Sequence, residues 1–107
     1  MYTARNYVKA ASLEEAWELN QKRSNAILGG GCWMRLAKRR YDTLIDLNGL
    51  GLEGIREENG TFFLGAMTTL REIEESSALC AAFGGYFKDC TRHIVGVQFR
   101  NCATLGG

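Results

Sequence analysis

The apolar run Ala26-Ile27-Leu28 leads directly into three consecutive glycines, Gly29-Gly30-Gly31. No other stretch of the chain limits its fold as strongly. A short run of apolar residues bounded by turn formers reads as a buried strand, and the glycines end it. Met34, Leu36 and Ala37 then suggest a helical turn. A strand, a glycine loop and a helical turn in that order can hold an anion. Glycine backbone approaches a ligand closely. Successive amides form a concavity of partial positive charge, and a helix N-terminus adds a favourable dipole. A phosphate or pyrophosphate suits such a segment. The same glycines also suit a flexible connection, or close packing against a neighbouring strand. The segment alone does not decide between these readings.

The rest of the chain alternates short strand and helix signals. Tyr7-Val8-Lys9-Ala10 reads as a short strand. Ser12-Leu13-Glu14-Glu15 is a capping box that opens a helix. Leu13, Ala16 and Trp17 share a face at helical spacing and are expected to pack inward. Thr43-Leu44-Ile45-Asp46-Leu47 reads as a second buried strand. Leu52 to Arg56 and Thr61 to Gly65 form a hairpin pattern through Glu57-Glu58-Asn59-Gly60. Thr69 and Glu72 form another capping box. Leu79, Ala82, Phe83, Tyr86 and Phe87 follow the helical repeat, so one amphipathic helix is expected from Ser77 to Lys88, weakened by Gly84-Gly85. Ile94 to Gly107 carries no clear periodicity.

Length and charge exclude several functions. The chain has 107 residues, enough for one domain or part of a larger one. Its net charge of +1 does not provide a nucleic-acid or membrane surface built on bulk electrostatics. The run Lys38-Arg39-Arg40 is short and reads as a solvated helix end. No apolar stretch matches a signal peptide or a membrane span, so a cytoplasmic, soluble chain with cysteine thiols is expected. The ending Gly106-Gly107 is expected to be a truncation.

Two familiar patterns carry no weight. Gly49-Leu50-Gly51-Leu52-Glu53-Gly54 matches G-x-G-x-x-G, but the dinucleotide fingerprint needs a helix after it, and the next strand pattern begins at once. It reads as a strand-to-strand loop. Cys32, Cys80, Cys90 and Cys102 form no C-x-x-C, so no metal site is expected. His93 reads as a structural or surface residue, and no catalytic residue is assigned.

A second glycine pair ends the segment Phe99-Arg100-Asn101-Cys102-Ala103-Thr104-Leu105-Gly106-Gly107. Thr104 precedes it with a hydroxyl able to donate to a phosphate. Four stretches now match one family in order and approximate spacing: Gly29 to Met34, Leu44-Ile45-Asp46-Leu47, Leu64-Gly65-Ala66-Met67-Thr68-Thr69, and Phe99 to Gly107. With them the chain resembles the FAD-binding subunit or domain of the molybdenum hydroxylases, the xanthine dehydrogenase and carbon monoxide dehydrogenase family. The last two stretches are the specific ones.

That resemblance implies an α+β fold, the small N-terminal subdomain of a two-subdomain FAD-binding fold of the PCMH type with the start of the second subdomain. It implies an FAD-dependent oxidoreductase subunit, inactive as a fragment, whose complex also holds a [2Fe–2S] subunit and a molybdopterin-binding subunit. Electrons would pass from the iron–sulfur clusters through FAD to an acceptor such as NAD+. It places the cofactor against Ile27, Leu28, Gly29, Gly30, Gly31, Cys32, Trp33 and Met34 in the first loop, against Thr104, Gly106 and Gly107 in the last, and near Ile94. Cys32 stands where the family has threonine and is a poorer hydrogen-bond donor. Trp33 replaces a polar residue, and Gly29 an alanine. A degenerate subunit of the same fold whose glycines only pack is the alternative. A flavin oxidase with its own substrate pocket is a third reading, for which no catalytic base is present.

Overall fold

A computed structural model of the chain describes residues 1–107. They form two compact units, Met1–Leu52 and Glu53–Gly107.

The first unit is a small parallel sheet with one helix. Strand β1 (Thr3–Lys9) is followed by helix α1 (Leu13–Leu19), strand β2 (Ala26–Leu28), a single 3-10 turn (Met34–Leu36) and strand β3 (Arg40–Asp46). The sheet order is β1-β3-β2, and both pairings are parallel. In register, Tyr7 lies beside Leu44, and Leu28 beside Asp46. Parallel neighbours cannot be joined by a tight turn and need a crossover. Here the glycine loop with its 3-10 turn joins the neighbours β2 and β3, while α1 carries the chain from β1 past the β3 position to β2.

Helix α1 starts where its cap dictates. The Ser12 hydroxyl accepts the Glu15 amide at 3.1 Å. The Glu15 carboxylate reaches one residue beyond the cap and accepts the Ala11 amide at 3.0 Å. Ala16 is buried with Ala10 and Ile45, and Leu19, Leu47 and Leu50 pack against them. The expected inward face is wrong in two places: Leu13 and Trp17 are exposed, Trp17 by 67%. A helix of this length buries a narrow stripe, and Ala16 with Leu19 fills it. Ile27 is also more open than a buried strand predicts.

The second unit opens with the hairpin of β4 (Ile55–Glu58) and β5 (Thr61–Leu64). Its turn is only Asn59-Gly60, with φ of 50° and 79°. Two left-handed residues match the right-handed twist of the flanking strands, so the expected four-residue connection contracts to two. Helices α2 (Leu70–Glu75), α3 (Ser77–Phe83), α4 (Tyr86–Thr91) and α5 (Val97–Arg100) follow. Thr69 and Glu72 close a full capping box, each side chain accepting the other's amide at 3.1 Å.

The expected single helix from Ser77 to Lys88 is two helices. Gly84 adopts φ 65° and ψ −148°, outside any helical region, and ends α3. The periodic residues still meet in part. Leu79 is buried, and the rings of Phe62, Phe83, Phe87 and Tyr86 form a chain of contacts 5.3–5.4 Å apart. Phe83 and Tyr86 stay exposed.

The loop with Gly49, Gly51 and Gly54 has positive φ at all three glycines and enters β4 without a helix. No helix is long and apolar enough to cross a membrane.

Candidate functional site

Each unit carries one of the two glycine segments. In the first, pairing with β3 ends at Leu28, and the chain leaves the sheet at its carboxyl end. Ligands of open α/β sheets collect at that end of the strands. Gly31 has φ 72°, a conformation in which a side chain is strained. A Cβ there would meet Leu28 Cδ1 at 3.4 Å, an ordinary contact, so the backbone angle and not space requires glycine. The Gly31 carbonyl accepts the Arg35 amide at 3.1 Å across four residues, and the 3-10 turn that follows is closed by Leu36 N on Trp33 O and Ala37 N on Met34 O, both at 3.1 Å. The Gly30 and Gly31 amides are committed to no carbonyl or side chain. The Cys32 thiol lies 3.9 Å from the Gly30 carbonyl, on the loop itself. Trp33 is exposed and Met34 half-buried. A half-buried loop with two uncommitted donors fits the oxygens of a phosphate, and it does so without side chains. The exchange of threonine for Cys32 therefore leaves its main donors in place.

The second segment is built differently. Thr104 faces Thr69 in an antiparallel bridge. Around it the Leu70 amide donates to Ala103 O at 2.9 Å, and the Leu105 amide to Thr68 O at 2.9 Å. Gly106 donates to Ala66 O at 2.8 Å, and a Cβ at Gly106 would stand 3.0 Å from both that oxygen and Ala66 Cβ. Glycine is needed at 106 because the two backbones touch. The Thr104 hydroxyl donates to the Gly107 carbonyl at 2.8 Å, so its proton is already directed within the segment. The Thr104 amide is the donor left over.

Thr68 locks the start of this unit. It is fully buried, and its hydroxyl accepts the Gly54 amide at 3.0 Å and donates to the Gly54 carbonyl at 3.1 Å. The specific Gly65 to Thr69 stretch thus ties hairpin, turn and the Thr104 segment into one body.

Ile94 is half-buried in the loop between α4 and α5. Its amide donates to Thr91 O at 2.9 Å, and its carbonyl accepts the Arg100 guanidinium at 3.0 Å. Val95, next to it, has φ 53°, an outlier for a β-branched residue, and is exposed. Arg100 is itself buried, and its Nε meets the buried Glu74 carboxylate at 3.0 Å. Arg71 bonds the same carboxylate oxygen at 2.9 Å. The Arg71 bond, then that of Arg100, holds the Glu74 carboxyl below its ordinary range against the opposing effect of burial.

Sequence reasoning overlooked three of these features. Nothing marks Val95 in sequence, because its strain comes from its surroundings. The Glu74–Arg100 pair joins residues 26 positions apart. Asp46 had a signal: a carboxylate interrupting the apolar run Leu44-Ile45-Asp46-Leu47. It is buried and accepts from the Tyr7 hydroxyl, from the Asn48 amide at 2.9 Å and from Asn48 Nδ2 at 2.8 Å. Burial pushes its carboxyl up, but the Tyr7 and Asn48 donors and nearby Lys9 outweigh that and hold it below the usual value. No group of His, Cys, Asp or Glu side chains is arranged to hold a metal ion.

Each unit thus carries a glycine segment, one with uncommitted amides after β2 and one packed against Ala66. The chain belongs to the family described as the FAD binding domain in molybdopterin dehydrogenase, which it matches over residues 2–107. Its structure resembles the Cu,Mo carbon monoxide dehydrogenase in its cyanide-inactivated form, with TM-score 0.84 and 28% identity over 100% of this chain and 40% of that one. It also resembles the carbon monoxide dehydrogenase of Hydrogenophaga pseudoflava lacking the Mo-pyranopterin moiety, with TM-score 0.81 and 32% identity over 95% and 38%. Quinoline 2-oxidoreductase of Pseudomonas putida 86 matches with TM-score 0.76 and 25% identity over 99% and 37%. The chain thus spans about two fifths of the structures it matches. No curated protein matches it.

Proposed function

We propose that the chain is part of the FAD-carrying, electron-transfer component of a molybdenum hydroxylase. The observation that carries this is the family match over residues 2–107, joined to the uncommitted amides of Gly30 and Gly31 in a glycine loop at the carboxyl end of a parallel strand. In this reading the segment Ile27–Met34 binds pyrophosphate through its backbone. The Thr104 amide adds a donor, Gly106 and Gly107 let the chain pass closely, and Ile94 lies by the flavin. FAD, when bound, supplies the electron transfer; the protein holds it, orients it and shapes its surroundings.

Its partners are a [2Fe–2S] subunit and a molybdopterin-binding subunit, and NAD+ is one acceptor that suits the flavin. The matched carbon monoxide dehydrogenases, whose names carry molybdenum and its pyranopterin, support the molybdopterin-binding partner. A cytoplasmic site of action goes with it. Substrate is bound by the molybdenum subunit and leaves no mark on this chain.

A second reading has one observation behind it. Gly106 packs against Ala66 and the Thr104 hydroxyl is turned onto Gly107, so packing accounts for these two residues of the second segment without a ligand. That is the behaviour of a structural subunit of the same fold without flavin. One titration separates the two. The full polypeptide should take up FAD and show the visible absorption bands of bound flavin. Replacing Gly30 with Leu should remove them, because a side chain blocks the approach of phosphate to the amides. No flavin uptake by the unsubstituted protein selects the structural subunit. Uptake unchanged by Gly30→Leu refutes the loop assignment.

A further inference from the structure

Val95 holds a left-handed conformation, with φ 53°, that a β-branched side chain resists. Such conformations persist only where the surroundings over-determine them. The loop from Arg92 to Gly96 is tied at both ends. The Ile94 amide is held by Thr91 O at 2.9 Å, and the Arg100 amide by Gly96 O at 3.0 Å. The decisive tie is a side chain. Arg100 directs Nη1 to the Ile94 carbonyl and Nε to Glu74, both at 3.0 Å, while Arg71 bonds the same Glu74 oxygen at 2.9 Å. The Arg100 and Glu74 side chains are only 8% and 7% exposed.

A buried ion pair is an expensive way to gain stability, since desolvation cancels much of the attraction. It is an effective way to fix geometry. The guanidinium is a rigid planar fork, so anchoring one nitrogen on Glu74 also fixes the direction of the other. An ammonium in its place satisfies the carboxylate or the carbonyl, but not both along set directions.

We infer that Arg100, seated on Glu74, is a positioning residue that keeps the Ile94–Val95 peptide in its strained conformation and so preorganises this loop for the flavin. The inference rests on the functional reading above. Arg100 touches no cofactor in this role; it acts through the Ile94 carbonyl. Without the fork, the peptide relaxes toward extended backbone, and binding must restore the strain each time.

The test uses the full polypeptide and FAD. Arg100→Lys keeps a cation on Glu74 but loses the fork. It should weaken FAD binding about tenfold, the equivalent of about 1.4 kcal/mol, and alter the visible band shape of the bound flavin, with the fold retained by circular dichroism. Val95→Gly in the Arg100→Lys background should recover most of the affinity, because glycine adopts positive φ without strain. A purely structural role for the ion pair gives no such recovery. Unchanged affinity in Arg100→Lys, or a loss that Val95→Gly leaves in place, overturns the inference alone. Failure of the unsubstituted protein to bind FAD overturns the functional reading as well, so the two failures are distinct.

Discussion

Single residues divide the glycines into two kinds. Gly31 is required by its backbone angle and has room beside it, whereas Gly106 is required by contact with Ala66. Gly106→Ala should therefore cost about 1–3 kcal/mol, the usual range for overpacking, measured by urea denaturation. Unchanged stability would mean that the 3.0 Å approach is relieved by a small backbone shift. Asp46 makes a pH prediction. Its carboxyl sits below its unfolded value of 3.8, so its contribution is fully present above that value. The contribution fades as pH falls through the lower folded value. Tyr7→Phe removes one donor, raises the folded value and should flatten this acid-side loss in a plot of denaturation midpoint against pH. The Asp42 carboxyl, which Lys22 and then Ser24 hold below its ordinary value, and that of Glu74 are depressed in the same direction, so the comparison with Tyr7→Phe is what isolates Asp46.

At the scale of elements, local chemistry was legible and breaks were not. Both caps stood in the sequence as Ser12…Glu15 and Thr69…Glu72, because a cap is a contact across three residues. The hairpin was legible through Asn59-Gly60, since few other pairs accept two left-handed residues. The split between α3 and α4 was not, because a helical repeat runs through it and a glycine pair alone does not reveal its ψ. This has a measurable consequence. In one continuous helix Gly84→Ala would stabilise the protein by about 1 kcal/mol. With φ at 65° it should destabilise instead, a sign that thermal denaturation reads directly. The outward turn of Leu13 and Trp17 has a similar origin: periodicity names a face, but the narrow core of a three-stranded sheet decides which part of it is used.

At the scale of the whole molecule, the four family stretches were legible because they combine backbone demands that few residues meet. Their distribution over two compact units was not. Neither was the parallel order β1-β3-β2, which depends on pairing between segments far apart in sequence. By itself the amino-acid sequence determined the glycine loop after Leu28, the two capped helices, the hairpin turn and membership of the family, all of them set by local conformation or by motif. Only the tertiary structure decided that Gly30 and Gly31 keep uncommitted amides while Gly106 is taken up by Ala66. It alone joined Glu74 to Arg100 and left Val95 under strain. The physical reason is the same in each case: a glycine permits a conformation, but whether that freedom serves a ligand or a neighbouring backbone depends on what packs beside it.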